Sequence, residues 1–293
     1  MRSGTASSRG AITILNAIPT GIGAALGITL QTDARVDIQE GKPSISVKMI
    51  EKDENDALAK ECVKLVFDLA GENLQTVRVT TRSSIPISRG LKSSSAAANA
   101  ISLATARALN KKVDDIELVK LGVEAARRAG VTVTGAFDDA SACYFGGIYV
   151  TDNSKMEVLR HEPIPKDKLR VILHVPDRKI RKKGITKETF QRWFSDFKKA
   201  EKLVLDGEYF EAMTLNGRLV AKALSIDDSI CRAALKVGAL AAGISGTGPA
   251  TAIIVDESKF DDVLDAVSME QAPLLIAHPN DTPAPEVIPR LLE

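Results

Sequence analysis

Residues 85–97, Ile-Pro-Ile-Ser-Arg-Gly-Leu-Lys-Ser-Ser-Ser-Ala-Ala, constrain this chain more than any other segment. A β-branched run, Val77 to Thr81, precedes them. A stretch with Ala97, Ile101, Ala104 and Ala108 at helical spacing follows, so the segment reads as a loop joining a strand to a helix. Its residues are small and polar, and a ligand can come close to the backbone. The first turn of a helix offers N–H groups with no intrahelical partner, and the macrodipole adds partial positive charge. Together these form a phosphate site. Lys92 can neutralise phosphate charge. The hydroxyls of Ser93, Ser94 and Ser95 suit phosphate oxygens or Mg2+, a hard cation that takes oxygen ligands. One serine at such a position is an ordinary helix cap; three in succession exceed what capping needs.

The 293 residues favour two domains. The polar stretch Thr151 to Lys168 marks the expected boundary, with a division at 1–160 and 161–293. Ahead of it, strands are expected at Ala11–Leu15, Ala24–Leu30, Arg35–Gln39, Ile45–Ile50 and Val77–Thr81, and a further one at Cys143–Thr151 bent at Gly146-Gly147. Helices are expected over about 54–70, ended by Gly71, over Ser93–Leu109, and over Asp115–Ala129 with Asp114 as N-cap. Beyond the boundary come a strand at Leu169–Val175, helices near 187–205, 208–224 and 227–240, a strand at Ala250–Val255, a helix near 258–269 and a strand near 272–277. This pattern implies a mixed α+β fold.

Charge narrows the function. The net formal charge is +1, which argues against nucleic acid as a partner, since such binders carry a strongly basic face. Cys62, Cys143 and Cys231 are isolated and odd in number, which suits a reducing cytoplasm and excludes a full disulfide framework. His161, His174 and His278 are scattered without zinc-ligand spacing. No apolar run reaches the roughly 20 residues of a membrane span, and no signal-peptide core opens the chain. A P-loop, GxxxxGK[ST], is absent. A small-molecule substrate is the expected partner, with a monomer or homodimer as the assembly.

Two further segments carry chemistry. Gly135-Ala136-Phe137-Asp138-Asp139-Ala140 runs towards Tyr144-Phe145-Gly146-Gly147, and a carboxylate there can accept or orient an alcohol proton. Ala242-Gly243-Ile244-Ser245-Gly246-Thr247-Gly248-Pro249-Ala250 precedes a strand, and its glycines allow close ligand approach. Taken in order, the three segments resemble the GHMP kinase superfamily, named for galactokinase, homoserine kinase, mevalonate kinase and phosphomevalonate kinase. The family's Pro–spacer–Gly-Leu-Gly-Ser-Ser-Ala motif matches at Pro86, Gly90, Leu91, Ser93, Ser94 and Ala96. The chain departs from it at Lys92, where the family has Gly, and at Ser95, where it has Ala.

The resemblance implies a ribosomal-protein-S5-domain-2-like N-terminal domain, a ferredoxin-like C-terminal domain, and ATP with Mg2+ between them. It implies nucleotide contacts at Pro86, Gly90, Leu91, Lys92, Ser93, Ser94, Ser95, Ala96, Gly246, Thr247 and Gly248, a catalytic Asp138, and metal ligands at Ser94 and Glu124. For Glu124 the residues offer a second reading, an ion pair with Arg128 one turn on. The N-terminal run Asn16-Ala17-Ile18-Pro19-Thr20-Gly21-Ile22-Gly23-Ala24-Ala25 lacks the Pro-Gly-Lys of most GHMP kinases and is similar to the archaeal-type shikimate kinase branch. That branch implies phosphorylation of the shikimate 3-hydroxyl in chorismate and aromatic amino-acid biosynthesis. Asn16, Thr20 and Gly21 become candidates for substrate contact, with Arg178 or Arg181 of the basic run 178–183 taking the substrate carboxylate. Homoserine kinase or another small-alcohol GHMP kinase is the alternative enzyme. A noncatalytic metabolite- or nucleotide-binding protein and an S5-like structural module are the readings of other classes.

Overall fold

The computed structural model describes residues 1–50, 55–164, 168–178, 184–268 and 272–290. Its architecture is α+β with two sheets. The first is built on a long antiparallel pair, β1 (Arg2–Leu15) and β2 (Ile22–Gln39). β3 (Ser44–Met49) runs parallel to β4 (Thr76–Ser83), which pairs with the second half of β2. β5 (Ile148–Asp152) pairs with the first half of β2, and β6 (Glu157–Glu162) extends the sheet beyond it. Helices α1 (Ala57–Ala70), α2 (Ser93–Ala108), α3 (Asp115–Arg128) and α4 (Phe137–Phe145) share one hydrophobic core with this sheet.

The second sheet is antiparallel, in the order β10 (Leu274–Ala277), β7 (Leu169–His174), β9 (Thr251–Asp256), β8 (Ala241–Ile244). It is covered on both faces. Val171, Leu173, Ala252 and Ile254 face the core shared with α5 (Phe194–Asp206) and α6 (Tyr209–Leu224). Ile172, Ile253 and Val255 face α7 (Ser229–Lys236) and α8 (Phe260–Ser268). Two buried faces explain why these strands read as unbroken apolar runs.

Several expected boundaries are corrected. The first two strands are longer than the apolar runs suggest, because polar residues inside them are buried and satisfied. Ser7 Oγ and Gln31 Nε2 both donate to Asp33 Oδ1 at 2.5 Å. That satisfaction carries β2 through Gln31-Thr32-Asp33, where the pattern suggests a break. Cys143 to Phe145 end a helix and do not begin a strand; β5 starts only at Ile148. The polar stretch after residue 151 contains β6, an edge strand whose alternating burial leaves little hydrophobic signal. Asp114 caps α3 as expected, accepting the N–H groups of Ile116 at 3.0 Å and Glu117 at 3.2 Å.

After β10 the chain returns to the first sheet. Thr29 N–H donates to the His278 carbonyl, Asn280 N–H to the Gly27 carbonyl, and Gly147 N–H to the Asn280 carbonyl, at 2.9, 2.9 and 2.7 Å. The three cysteines are free and buried, and burial pushes the Cys62 thiol up to about 12 and the Cys231 thiol to about 11. No helix among the described residues is long and apolar enough to cross a membrane.

The placement of α2 depends on one close approach. A Cβ on Gly4 of β1 would lie 2.3 Å from the Ala104 carbonyl oxygen and 2.4 Å from the Ala108 nitrogen. The small residues of α2, with Ala96, Ala100 and Ala104 fully buried, let the helix lie directly on the strand. Gly4→Ala should therefore force α2 off β1, costing about 1–3 kcal/mol. Thermal denaturation should show a melting temperature lower by about 3–10 °C; an unchanged value would contradict this packing.

Candidate active site

The serine loop presents a helix start that the protein itself leaves uncapped. Lys92 occupies the N-cap position of α2 in the left-handed region, φ 65° and ψ 28°, and no side chain caps the helix. The first-turn donors of Ser93, Ser94 and Ser95 border a cleft of about 770 Å³. Leu91 and Ala96, 1% and 0% exposed, anchor the loop in the core. Gly90 has φ 89°, and a Cβ there would sit 2.1 Å from the Ser245 carbonyl oxygen, so only glycine fits.

That contact belongs to a clasp between the loop and the glycine-rich segment of the second sheet. Ser245 Oγ donates to the Gly90 carbonyl at 2.8 Å, and Ala250 N–H donates to the Arg89 carbonyl at 3.0 Å. Thr13 of β1 holds the glycine-rich side. Its N–H donates to Ser245 Oγ at 3.2 Å, and its Oγ1 accepts the Gly246 N–H at 2.7 Å. Gly246, Thr247 and Gly248 thereby border the same cleft as the serines.

The second segment forms the floor. Asp138 and Asp139 occupy the first turn of α4, whose N-cap, Ala136, is left-handed and supplies no side-chain cap. Lys92 Nζ lies 2.9 Å from Asp139 Oδ1, with the two side chains 8% and 14% exposed. Lys92 is the only Lys, Arg or His among the described residues bordering the cleft. Asp138 is 3% exposed. Its carboxyl is pushed up to about 7 by burial first and by the neighbouring Asp139 second, against the opposing pull of Lys92 and a hydrogen bond from Asn153. Asn153 Nδ2 donates to Asp138 Oδ1 at 3.0 Å. A Cβ on Gly23 would lie 2.5 Å from Asp138 Oδ2, so the strand behind the carboxylate must carry glycine.

The other expected site residues are placed as follows. Asn16 borders the cleft, but its side chain is engaged: Nδ2 donates to the Gly246 carbonyl at 3.1 Å and Oδ1 accepts the Ile18 N–H at 2.9 Å. Thr20, Gly21 and Pro86 do not border it. Thr20 Oγ1 accepts the Ile22 N–H, and the Gly21 carbonyl accepts the Asn153 N–H. Glu124 also lies off the cleft and bonds Arg128 Nε at 2.9 Å on an exposed face of α3. Arg178 is exposed just beyond β7. Arg181, with Lys179, Lys182 and Lys183, lies outside the described residues. Sequence reasoning missed Asn153, Gly23 and Thr13. Asn153 sat in a stretch read as linker, and nothing local tied it to Asp138, 15 positions away.

The donor set fits a nucleotide with its metal. An uncapped helix start beside one buried lysine suits a polyphosphate. Among the described residues no group of three or more His, Cys, Asp or Glu side chains could cage a metal. The hydroxyls of the loop are hard oxygens of the kind that complete the shell of a phosphate-bound Mg2+.

Comparison with known proteins agrees with the geometry. Residues 57–147 match the family model "GHMP kinases N terminal domain", and residues 206–271 match "GHMP kinases C terminal". A shikimate kinase of Methanosarcina acetivorans is 43% identical over 264 residues, which span 90% of this chain and 88% of that protein. The chain belongs to the GHMP kinases. Another GHMP relative, a shikimate kinase of Pyrococcus abyssi, is 42% identical over 273 residues, spanning 89% of this chain and 97% of its own. The fold extends to more distant kinases. The Methanococcus jannaschii mevalonate kinase has a TM-score of 0.76 at 18% identity, covering 94% of this chain and 98% of its own. A homoserine kinase of Cytophaga hutchinsonii has 0.75 at 16%, covering 96% of each. As a GHMP kinase the chain is an enzyme that uses ATP, and the α+β fold class expected from the sequence holds.

The buried Asp138 has a consequence for stability. The folded chain holds its proton up to about pH 7, whereas the unfolded chain releases it near the ordinary carboxylate value of about 4. The stabilisation from that retained proton is full in acid and is lost as pH rises through 7. Asp138→Asn, neutral throughout, should melt close to wild type at pH 4.5 and several degrees above it at pH 8. An equal difference at the two pH values, read by calorimetry, would contradict the burial of a costly charge.

Proposed function

We propose that this GHMP kinase transfers the γ-phosphoryl group of ATP to the 3-hydroxyl of shikimate, giving shikimate 3-phosphate and ADP. The observation that carries the reading is the convergence, in one cleft, of an uncapped α2 start, the buried Lys92 and the buried Asp138. The substrate follows from its curated relatives, shikimate kinases at 37–43% identity across about nine-tenths of the chain. A homoserine kinase substrate is not favoured, since that likeness lies at 16% identity and speaks for the fold alone.

In this reading the backbone donors and hydroxyls of Ser93, Ser94 and Ser95 bind the phosphates, and Gly90, Gly246, Thr247 and Gly248 let them approach. Lys92 balances their charge. Mg2+, when bound, neutralises and orients the transferring phosphoryl group, with Ser94 as its protein ligand; the ion-paired, off-cleft Glu124 is given no part. Asp138 accepts or orients the proton of the attacking hydroxyl. The oxygen–phosphorus bond to the substrate forms as the β–γ bridging bond breaks, and the proton passes to Asp138. Positioning and charge do most of the work in such transfers. A carboxyl raised by burial suits a base at neutral pH, since it is basic enough to take a proton. Arg178, the described member of the basic run, does not border the cleft, and the substrate carboxylate is given no partner.

The test is ADP release by the purified chain with MgATP, offering shikimate, homoserine and mevalonate in parallel. Turnover with shikimate at least about a hundredfold above the other two is expected, since a site built for polar groups rejects analogues that leave them unpaired. Preferential turnover of another alcohol would overturn the substrate assignment and leave the phosphoryl-transfer chemistry in place.

A further inference from the structure

The unusual start of α4 identifies a residue that the reading above does not use. Helix N-termini are ordinarily capped by the residue just before the first turn. Here that residue is Ala136, held left-handed at φ 54° and without a side-chain acceptor. A non-glycine residue in this region is strained and persists only where its surroundings fix it. The acceptor comes from elsewhere. Asn153, one residue beyond the end of β5 and 1% exposed, turns its Oδ1 to the N–H of Phe137 in a short bond and to the N–H of Asp138 at 3.4 Å. The same amide donates Nδ2 to Asp138 Oδ1 at 3.0 Å. One side chain therefore caps the helix and grips the carboxylate it presents.

Asn153 is itself fixed. Its N–H donates to the Gly21 carbonyl at 2.9 Å, and its carbonyl accepts from Arg127 Nη2 at 3.4 Å. A Cβ on Gly23 would come within 2.7 Å of its Nδ2, so the amide packs directly against the β2 backbone. The amide is thus braced by the sheet while it braces the helix.

We propose that Asn153 is the positioning residue of this kinase: it caps α4 from the neighbouring strand and sets both the orientation and the proton affinity of the Asp138 carboxylate. The proposal rests on the reading of Asp138 as the group that takes the substrate proton. The charged and titratable groups facing Asp138 are Asp139 and Cys143 from its own helix and Lys92 from the start of α2. The strands contribute no charge to it among the described residues: Gly23 comes from β2 and the neutral Asn153 from the end of β5. Beside the backbone N–H of Asp139, the Asn153 amide is the uncharged side-chain donor by which the carboxylate can be tuned without altering its ionic partners.

Three variants of the full-length protein test this: Asn153→Ala, Asn153→Asp and Asp138→Asn, with ADP release followed from pH 5.5 to 9. The acceptor alcohol is shikimate or whichever of the three alcohols wild type turns over. Asn153→Asp retains the acceptor for the helix N–H groups and replaces the donor with a like charge. Its melting temperature at pH 7 should fall by no more than that of Asn153→Ala, the retained cap offsetting part of the cost of a second buried carboxyl, while the acid limb of kcat moves up by about one pH unit or more. Asn153→Ala should lose about tenfold to a hundredfold in kcat, with KM for ATP and for the alcohol within about threefold of wild type, as expected when only a transition-state interaction is lost, and its acid limb should also move up. Wild-type pH profiles in both variants, beside an inactive Asp138→Asn, would overturn the positioning role and leave Asp138 as the base. Loss of activity that tracks loss of stability, with the limb unmoved, would likewise overturn it in favour of a purely structural cap. Retained turnover in Asp138→Asn would overturn the base reading and the proposal with it.

Discussion

The ion pair between Lys92 and Asp139 organises this molecule. Both side chains are nearly closed off from water and their charged atoms are 2.9 Å apart. Removing two charges from solvent is costly, and the cost is offset only when each finds the other in good geometry. The pair therefore demands that the starts of α2 and α4 face each other across a short gap. Both helix starts have a left-handed, non-glycine N-cap position, Lys92 and Ala136. Strain of that kind is expected at sites where the chain is held for function. The result is one fixed cation beside the unsatisfied donors of the α2 start, facing an α4 start that Asn153 caps and that presents a protonatable carboxyl, Asp138.

The rest of the fold keeps those two helix starts in place. Gly4 lets α2 lie against β1, and Gly23 lets Asp138 lie against β2. Asn153 ties α4 to the end of β5. From the second sheet, the Ser245–Gly248 turn closes over the serine loop through Ser245, and Thr13 of β1 holds that turn in place. The tail after β10 returns to β2 and to Gly147, just past α4. Both sheets thus contribute backbone contacts around one cleft, and the cleft is defined by main-chain approach more than by side-chain bulk.

The motifs legible in the sequence were those in which local residue type decides the outcome. Ser93 to Ser95 after Gly90 read as the junction of a strand and a helix, and they lie at the start of α2 beside the cleft. The Asp114 cap and the Gly71 helix end are local in the same way. What escaped depends on distant partners. α4 looks like strand in its last residues because Cys143, Tyr144 and Phe145 are apolar, and its start lacks a local cap; the cap comes from Asn153. Residues Gln31 to Asp33 look like a break in β2 because their polarity is visible and their buried partners, Ser7 among them, are not. Glu124 matches the family's glutamate only approximately in spacing, and its local alternative, Arg128 one turn on, is the contact found. Asn16 borders the cleft as expected, yet its amide spends its bonds holding Gly246 and Ile18.

In the proposed function Lys92, standing where most GHMP kinases carry glycine, is the charge centre of the nucleotide site. The most direct test is the dissociation constant of ATP, measured by calorimetric titration in the presence of Mg2+, for Lys92→Met beside wild type and Asp138→Asn. Affinity should weaken at least about tenfold in Lys92→Met, the loss of one charge-assisted contact, and stay within a few-fold of wild type in Asp138→Asn. Wild-type affinity in Lys92→Met would contradict it, and would mean that the bare helix start holds the phosphates without help from the lysine.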